Sequence, residues 1–256
     1  MCSSDLNPTA GFLKKSLKII FFDTETTGNG EEDRLCQIAI KERGVAEPIL
    51  NNTFKPPIPI SIESMAIHHI TPKMVADRPA FIDAPEYAAT KELFENDDVI
   101  SVAHNAAFDV GMLAHEKITP KRVICTYKVA SALDPNDLIP NYRLQYLRYL
   151  LELDVEGTAH DAFGDVLVLE ALFERLLAKL VTTHGTEEAA LAEMIAISSR
   201  PMLFTTIRFG KHKGKKIEDV ARTDRGYLEW LLGQKRQEPA GEADWIYTLE
   251  QALLKK

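Results

Sequence analysis

The chain has 256 residues, of which 45% are hydrophobic, and a formal net charge of −8. This length suits one large domain, or one domain with a small module, and the apolar content excludes a disordered chain. The charge argues weakly against non-specific nucleic-acid binding, and no stretch approaches the ~20 apolar residues of a membrane span.

Cysteine usage bears on the compartment of the protein. The three cysteines, Cys2, Cys36 and Cys125, are odd in number and widely separated. They match neither a disulfide framework nor a zinc site, and residues 1–15 lack the apolar core of a signal peptide. We therefore expect a reduced, cytoplasmic protein that has no membrane partner.

Strand, turn and helix signals alternate through residue 180, which predicts an α/β fold around a mixed sheet. The predicted elements in chain order are a strand ending near Asp23, a tight turn of positive φ at Asn29-Gly30, strands at 35–41 and 49–55, a short helix capped by Thr71-Pro72, a helix at 85–96, a strand at 99–103, a helix from Asn105 to 116, a loop at 134–140, and helices at 143–153 and 162–180. The first three strands are expected to be antiparallel because hairpin turns join them.

A composition change after residue 200 predicts a second, smaller unit. We divide the chain into an N-terminal tail (1–16), a main domain (17–181), a helical connector (182–201) and a small C-terminal module (202–256). Residues 208–216 carry five cations in nine positions. Such a run is either a solvated turn or a phosphate contact, and phosphate contact is the interpretation that we favour.

Two carboxylates close the first predicted strand. Asp23 and Glu25 are two residues apart, so their side chains project from the same face, while Thr24 points away. Burying like charges is costly unless a cation pairs with them, and carboxylate oxygens suit Mg²⁺ or Mn²⁺. Taken alone, the pair is equally compatible with a strand end that meets solvent.

Three further polar side chains fall near other element ends. Asp109 lies in the first turn of a predicted helix and Asp165 near the start of the longest one. At such positions an acid often only interacts favourably with the helix dipole. His160 must lie in the preceding loop to converge with Asp165, and Asp161 is a better N-cap than ligand. Together with the first pair, these carboxylates can hold two divalent ions ~4 Å apart, with His160 as a general base.

Three segments resemble the three exonuclease motifs of the DEDDh family. They are Phe-Asp-Thr-Glu-Thr-Thr-Gly at 22–28, His-Asn-Ala-Ala-Phe-Asp at 104–109 and His-Asp-Ala-Phe-Gly-Asp at 160–165. The resemblance implies a ribonuclease H-like mixed β-sheet flanked by helices and two Mg²⁺ (or Mn²⁺) ions. The implied catalytic residues are the metal ligands Asp23, Glu25, Asp109 and Asp165 and the general base His160.

Further segments resemble the exodeoxyribonuclease X-like group of that family, notably Met-Ala-Ile-His-His-Ile-Thr at 65–71 and Phe-Gly-Lys at 209–211. This resemblance implies a metal-dependent 3′→5′ exodeoxyribonuclease that acts on single-stranded DNA and duplex 3′ ends, releases nucleoside 5′-monophosphates and serves DNA repair. It also implies that Thr26 contacts the terminal nucleotide. Asn105 is a helix cap, a substrate-orienting amide or both, and His68 either lies beside the site or has a capping or packing role.

Other functions remain open at this point. The same carboxylates serve an RNA 3′ exonuclease, and the sequence does not reveal what would read a 2′-hydroxyl. A catalytically inactive nucleic-acid-binding module and a proofreading partner of a polymerase are further alternatives. The sequence assigns no protein partner.

Overall fold

The computed structural model describes residues 17–155, 161–237 and 242–254. The strands are β1 (Lys18–Thr26), β2 (Leu35–Glu42), β3 (Pro48–Thr53), β4 (Val99–Ala103) and β5 (Val123–Cys125). The helices are α1 (Ile62–His68), α2 (Pro72–Val75), α3 (Tyr87–Phe94), α4 (Ala107–His115), α5 (Thr126–Ala132), α6 (Leu144–Leu150), α7 (Ala162–His184), α8 (Glu187–Ser199), α9 (Ile217–Thr223), α10 (Arg225–Gln237) and α11 (Ala243–Leu254). Among the helices in these ranges, none is long and apolar enough to cross a membrane.

The five strands form one mixed sheet in the order β3-β2-β1-β4-β5. Strand β1 pairs antiparallel with β2 and parallel with β4, while β2–β3 is antiparallel and β4–β5 parallel. In β1, Ile20, Phe21 and Phe22 are fully buried, as an unbroken apolar run in a central strand requires. The predicted α/β class, with a mixed sheet flanked by helices, is confirmed.

The alternation of side chains along β1 creates a core on each face of the sheet. Phe21 packs edge-on against Phe173 of α7, with ring centroids 5.2 Å apart. Phe22 points to the other face and packs against Phe94 of α3 at 4.9 Å. Residues that share the parity of Phe21 therefore face α7, and those that share the parity of Phe22 face α3 and α4.

The C-terminal residues have a core of their own, formed around Ile207, Val220 and Leu249. They dock on the rest of the chain through polar contacts, among them a 2.8 Å ion pair between Arg208 and Asp137. Helix α8, by contrast, packs on α7 and contributes to the same core as Phe21. The domain boundaries drawn from the sequence stay a prediction.

Two local predictions at the first hairpin are wrong. Strand β1 continues to Thr26 rather than ending near Asp23, because Glu25 pairs with Gln37 and Thr26 with Leu35. Neither Asn29 nor Gly30 has a positive φ, and a longer loop replaces the tight turn. The Asp33 carboxylate organises this loop by accepting hydrogen bonds from the Thr27 hydroxyl and the Gly30 amide, both at 2.6 Å.

The predicted helix caps had mixed outcomes. Thr71 with Pro72 begins α2, as predicted. Asn105 is not the cap of α4, because its backbone is left-handed with φ 61° and Ala106 takes the cap position. Four short elements, α1, β5, α5 and α9, were not predicted.

Candidate active site

A cluster of carboxylates lies where the end of β1 meets the start of α7. Oxygens of Asp23, Glu25 and Asp165 lie within 4.8 Å of one another. Asp23 and Glu25 share the parity of Phe21 and so point toward α7, whose first turn carries Asp165. The predicted convergence of these three side chains is confirmed as a matter of geometry, although they are 142 positions apart in sequence at the extremes (165 − 23).

The electrostatics of this cluster are unfavourable for three ionised groups. Burial, followed by the charges of Asp109 and Glu25, raises the pKa of Asp23 well above its usual range. Burial and the nearby charge of Asp165 raise the pKa of Glu25 to about 8. A cation would relieve both penalties, and the all-oxygen donor set fits a hard divalent ion. The residues present therefore fit a metal centre.

Asp109 approaches the cluster from the opposite face of the sheet. Its Oδ1 accepts hydrogen bonds from the amide and the hydroxyl of Thr24, at 3.1 and 2.7 Å. Thr24 points away from Asp23 as predicted, and it thereby holds the fourth carboxylate. Burial raises the pKa of Asp109 to about 7, although the hydrogen bonds from Thr24 lower it. Asp109 lies outside the 4.8 Å group, yet its charge acts on both Asp23 and Glu25.

The start of α7 is organised as the sequence predicted. Asp161 is the N-cap, and its carboxylate accepts a hydrogen bond from the Gly164 amide at 3.3 Å. Its other oxygen accepts from the side-chain amide of Gln37 at 3.1 Å. Both carboxylate oxygens of Asp161 thus make structural hydrogen bonds, which agrees with the prediction that Asp161 is an N-cap rather than a metal ligand. His160 lies outside the described residues, so its role as general base stays a prediction.

The predicted substrate residues Thr26 and Asn105 differ in their surroundings. Thr26 is buried, and its hydroxyl donates to the Gly28 carbonyl at 2.8 Å. Its side chain is therefore engaged within the loop, which leaves the backbone as the part that a nucleotide can contact. Asn105 is exposed, in the segment between β4 and α4. Neither role in substrate binding is tested by this geometry.

His68 supports the loop that follows β1. Its Nδ1 accepts from the Ile70 amide at 2.9 Å, so its Nε2–H donates to the Thr26 carbonyl at 3.1 Å. Burial lowers the pKa of His68 and favours this neutral form. His68 is therefore a support of the Thr26 backbone, which is a packing role close to the candidate site. Its neighbour His69 ends α1 in a left-handed conformation with φ 62°.

Sequence reasoning missed Gln145. This residue lies on α6, and its side-chain amide donates to Oδ1 of Asp165 at 2.5 Å. A glutamine among regularly spaced leucines gave no local signal, because only the packing of α6 against α7 brings it to the cluster. Groups that orient a ligand commonly affect metal affinity as well as activity.

Removing this support gives a first prediction. In Gln145→Ala, the Mg²⁺ concentration for half-maximal nuclease activity is expected to rise roughly 10–100-fold, the range typical for a group that orients a metal ligand. Metal titration of both activity and the melting temperature measures this effect. Gln37→Ala is the matched control because it removes a similar amide from Asp161, which is a cap. Equal metal dependence in both variants would contradict the role of Gln145.

Family models match two parts of the chain. The model described as Exonuclease matches residues 20–173, and the model described as Exodeoxyribonuclease X-like C-terminal matches residues 207–236. The chain belongs to the exonuclease family. Exodeoxyribonuclease 10 of Escherichia coli (strain K12) is 36% identical over 218 residues, which cover 84% of this chain and 90% of that protein. The DNA polymerase III subunit epsilon of Treponema pallidum (strain Nichols) is 34% identical over 174 residues, covering 64% and 78%.

Solved structures confirm the ribonuclease H-like fold. The structure titled Exonuclease X in complex with 5′ overhanging duplex DNA aligns with a TM-score of 0.55 and 29% identity, covering 71% of this chain and 99% of that one. A zinc-bound form of Escherichia coli exonuclease I with single-stranded DNA aligns with a TM-score of 0.54 at 21% identity, covering 70% and 45%, and shares the fold alone. Exonucleases of this family are metal-dependent, and the acidic cluster agrees with that property.

Proposed function

We propose that this chain is a metal-dependent 3′→5′ exodeoxyribonuclease that removes nucleotides from a DNA 3′ end as nucleoside 5′-monophosphates. The observation that carries the proposal is the convergence of Asp23, Glu25 and Asp165 at one partly buried point of an exonuclease-family chain. Buried acids with raised pKa values, gathered from separate elements, are typical of functional sites rather than of structural ion pairs.

The carboxylates would hold two Mg²⁺ or Mn²⁺ ions. Asp23, Glu25 and Asp165 would supply oxygens on the α7 side of β1, and Asp109, whose Oδ1 accepts from Thr24, would supply its second oxygen from the α4 side. Bound divalent ions make a water molecule more acidic and neutralise charge on the phosphate. The protein's own contribution is to keep four acids in place through Thr24, Gln145 and the rigid start of α7.

His160 is proposed to accept the proton of the attacking water. In the chain it directly precedes Asp161, the N-cap of α7, one turn before Asp165. A histidine with an ordinary pKa of about 6.5 is a suitable base at neutral pH. Asn105 and the Thr26 backbone are proposed to orient the terminal nucleotide.

Removal of the base gives a second prediction. His160→Ala is expected to lower kcat several hundred-fold, within the roughly 10²–10⁴ range of general-base catalysis, and to make the fall of the rate at acidic pH less steep. Single-turnover rates between about pH 5.5 and 8.5 measure both effects. The control is His184→Ala, an exposed histidine at the far end of α7. A near-normal rate in His160→Ala would remove the residue from this role.

The proposed substrates are single-stranded DNA and duplex 3′ ends. One relative is an exodeoxyribonuclease and another was solved with overhanging duplex DNA, which supports DNA over RNA. A role in DNA repair, a cytoplasmic location and a C-terminal module (202–256) that contributes to DNA binding are part of the same proposal. An RNA exonuclease remains the alternative, because the acids alone do not select the sugar.

A single assay tests the proposed function. A 5′-labelled single-stranded oligodeoxynucleotide is incubated with Mg²⁺, with and without EDTA, beside an RNA oligomer of the same sequence. A descending ladder from DNA that EDTA abolishes is the expected result. Faster cleavage of RNA would favour the alternative substrate, and retained binding without any product would favour a module that has no catalytic activity.

A further inference from the structure

A wide cleft lies between the main domain and the C-terminal residues. Its volume is about 1100 Å³, and it is lined on one side by His104, Asn105 and Arg143 and on the other by Arg208 and Lys213. The residues on the second side belong to the basic run that the sequence analysis singled out. The C-terminal residues thus form one complete wall of this cleft.

The cleft begins beside the acidic cluster. Strands β1 and β4 are parallel and pair Phe21 with Val102, so the same register places Asp23, within β1, level with His104, which directly follows β4. On the other flank, Arg143 lies two residues before Gln145, whose amide binds Asp165. Residues that line the cleft are therefore neighbours of the cluster, by strand register on one side and by sequence on the other.

The charged groups of the cleft have different roles. Arg208 pairs with Asp137 at 2.8 Å and stacks over the Tyr142 ring at 5.0 Å, so it fastens the C-terminal residues to the main domain. Arg143 and Lys213 are exposed, and no side-chain partner of either lies within residues 17–155, 161–237 and 242–254. In a chain of net charge −8, two cations on facing walls that have no side-chain partner among the described residues mark a place for an anion.

The neutral part of the lining is rigid. His104 uses both ring nitrogens, one with the Thr126 hydroxyl at 2.9 Å and one with the Tyr142 carbonyl at 2.8 Å. It is therefore held in place and is not available to bind phosphate. Glycines 210 and 214 have left-handed backbones, but the Gly214 amide already donates to the Ile207 carbonyl at 2.7 Å. The Gly214 amide is thus engaged within its own turn, and the side chains carry the charge.

We propose that a single DNA strand runs from the acidic cluster through this cleft, with Arg143 and Lys213 contacting its phosphates from opposite walls. The inference rests on the proposed function and adds the path of the nucleotides on the 5′ side of the scissile bond. The cations on the two walls act on the backbone of the strand, so the contacts carry no sequence preference. Short substrates that end at the acidic cluster do not reach them.

The double variant Arg143→Ala/Lys213→Ala tests this path with two substrates. One is a thymidine dodecanucleotide, and the other is the 4-nitrophenyl ester of thymidine 5′-monophosphate, which is too short to enter the cleft. The kcat/KM for the dodecanucleotide divided by that for the ester is expected to fall roughly 25-fold at 0.1 M salt. The salt slope of oligonucleotide binding is expected to decrease by about 1.4, which corresponds to two lost single-strand phosphate contacts. Arg175→Ala/Lys179→Ala removes the same two charges from the exposed face of α7 and is the control.

Binding is also measured without turnover, by fluorescence anisotropy of the labelled dodecanucleotide in EDTA. If the double variant matches its control in both the ratio and the salt slope, the strand does not use this cleft. If the wild type hydrolyses neither substrate, the proposed function fails, while a weakened anisotropy signal in the double variant alone still supports the cleft. Equal anisotropy in the wild type, the double variant and the control would overturn the proposed path through the cleft.

Discussion

Asp23→Asn is expected to lower the rate of nucleotide release from a DNA 3′ end at least about 1,000-fold, while the protein keeps its fold. The amide has nearly the same volume as the carboxylate but is a much poorer ligand for a hard cation. Loss of a group that merely orients a ligand already costs roughly 10–100-fold, so loss of a ligand should cost more. Asp23 lies between Asp109, Glu25 and Asp165, which all repel its charge. The substitution therefore removes an unfavourable interaction from the metal-free protein.

The measurement combines single-turnover DNA hydrolysis with thermal unfolding in EDTA. Asp161→Asn is the matched control, because it neutralises an acid near the same cluster at a position where asparagine caps a helix equally well. The control is expected to stay within about tenfold of the wild-type rate. Comparable losses in the two variants would show that overall charge, rather than ligation by Asp23, determines the activity.

The site was predictable where local periodicity decides the geometry. The two-residue period of a strand was enough to place Asp23 and Glu25 together and Thr24 apart. Their approach to Asp165 was not local, since it depends on α7 packing across β1 through Phe21 and Phe173. Only the resemblance of three separated motifs linked these positions before the fold was known.

The supporting residues were not predictable for the same reason. Thr24, Gln145 and His68 make hydrogen bonds across 85, 20 and 42 positions of sequence, respectively. No pattern within one element identifies such partners, since threonine, glutamine and histidine are common wherever polar side chains are tolerated.

Backbone conformation accounts for the error at Asn105. An asparagine before a helix is a good cap, yet at φ 61° it turns the chain before the helix begins. Helix α4 therefore starts one residue later than a cap at Asn105 predicts, with Asp109 in its first turn. From there its carboxylate accepts hydrogen bonds from Thr24 of β1.

The metal-free protein is expected to lose stability as the pH rises from about 5 to 8. The pKa of Glu25 is raised from 4.5 to about 8 in the folded protein, chiefly by burial. Below pH 4.5 the group is protonated in both states, so its contribution to stability is fully present. Between these values the unfolded chain releases a proton that the folded protein retains, and unfolding becomes easier with each step in pH.

The expected loss is a few kcal/mol, because each pKa unit corresponds to about 1.4 kcal/mol. Urea unfolding in EDTA at several pH values measures it, with Glu25→Gln as the comparison. The glutamine variant should have a flatter dependence over the same range, since it keeps the side-chain volume and cannot ionise. A wild-type protein that becomes more stable than Glu25→Gln as the pH rises in EDTA would contradict the raised pKa. Added Mg²⁺ should remove most of the loss, because a cation that binds the ionised acids stabilises only the folded state.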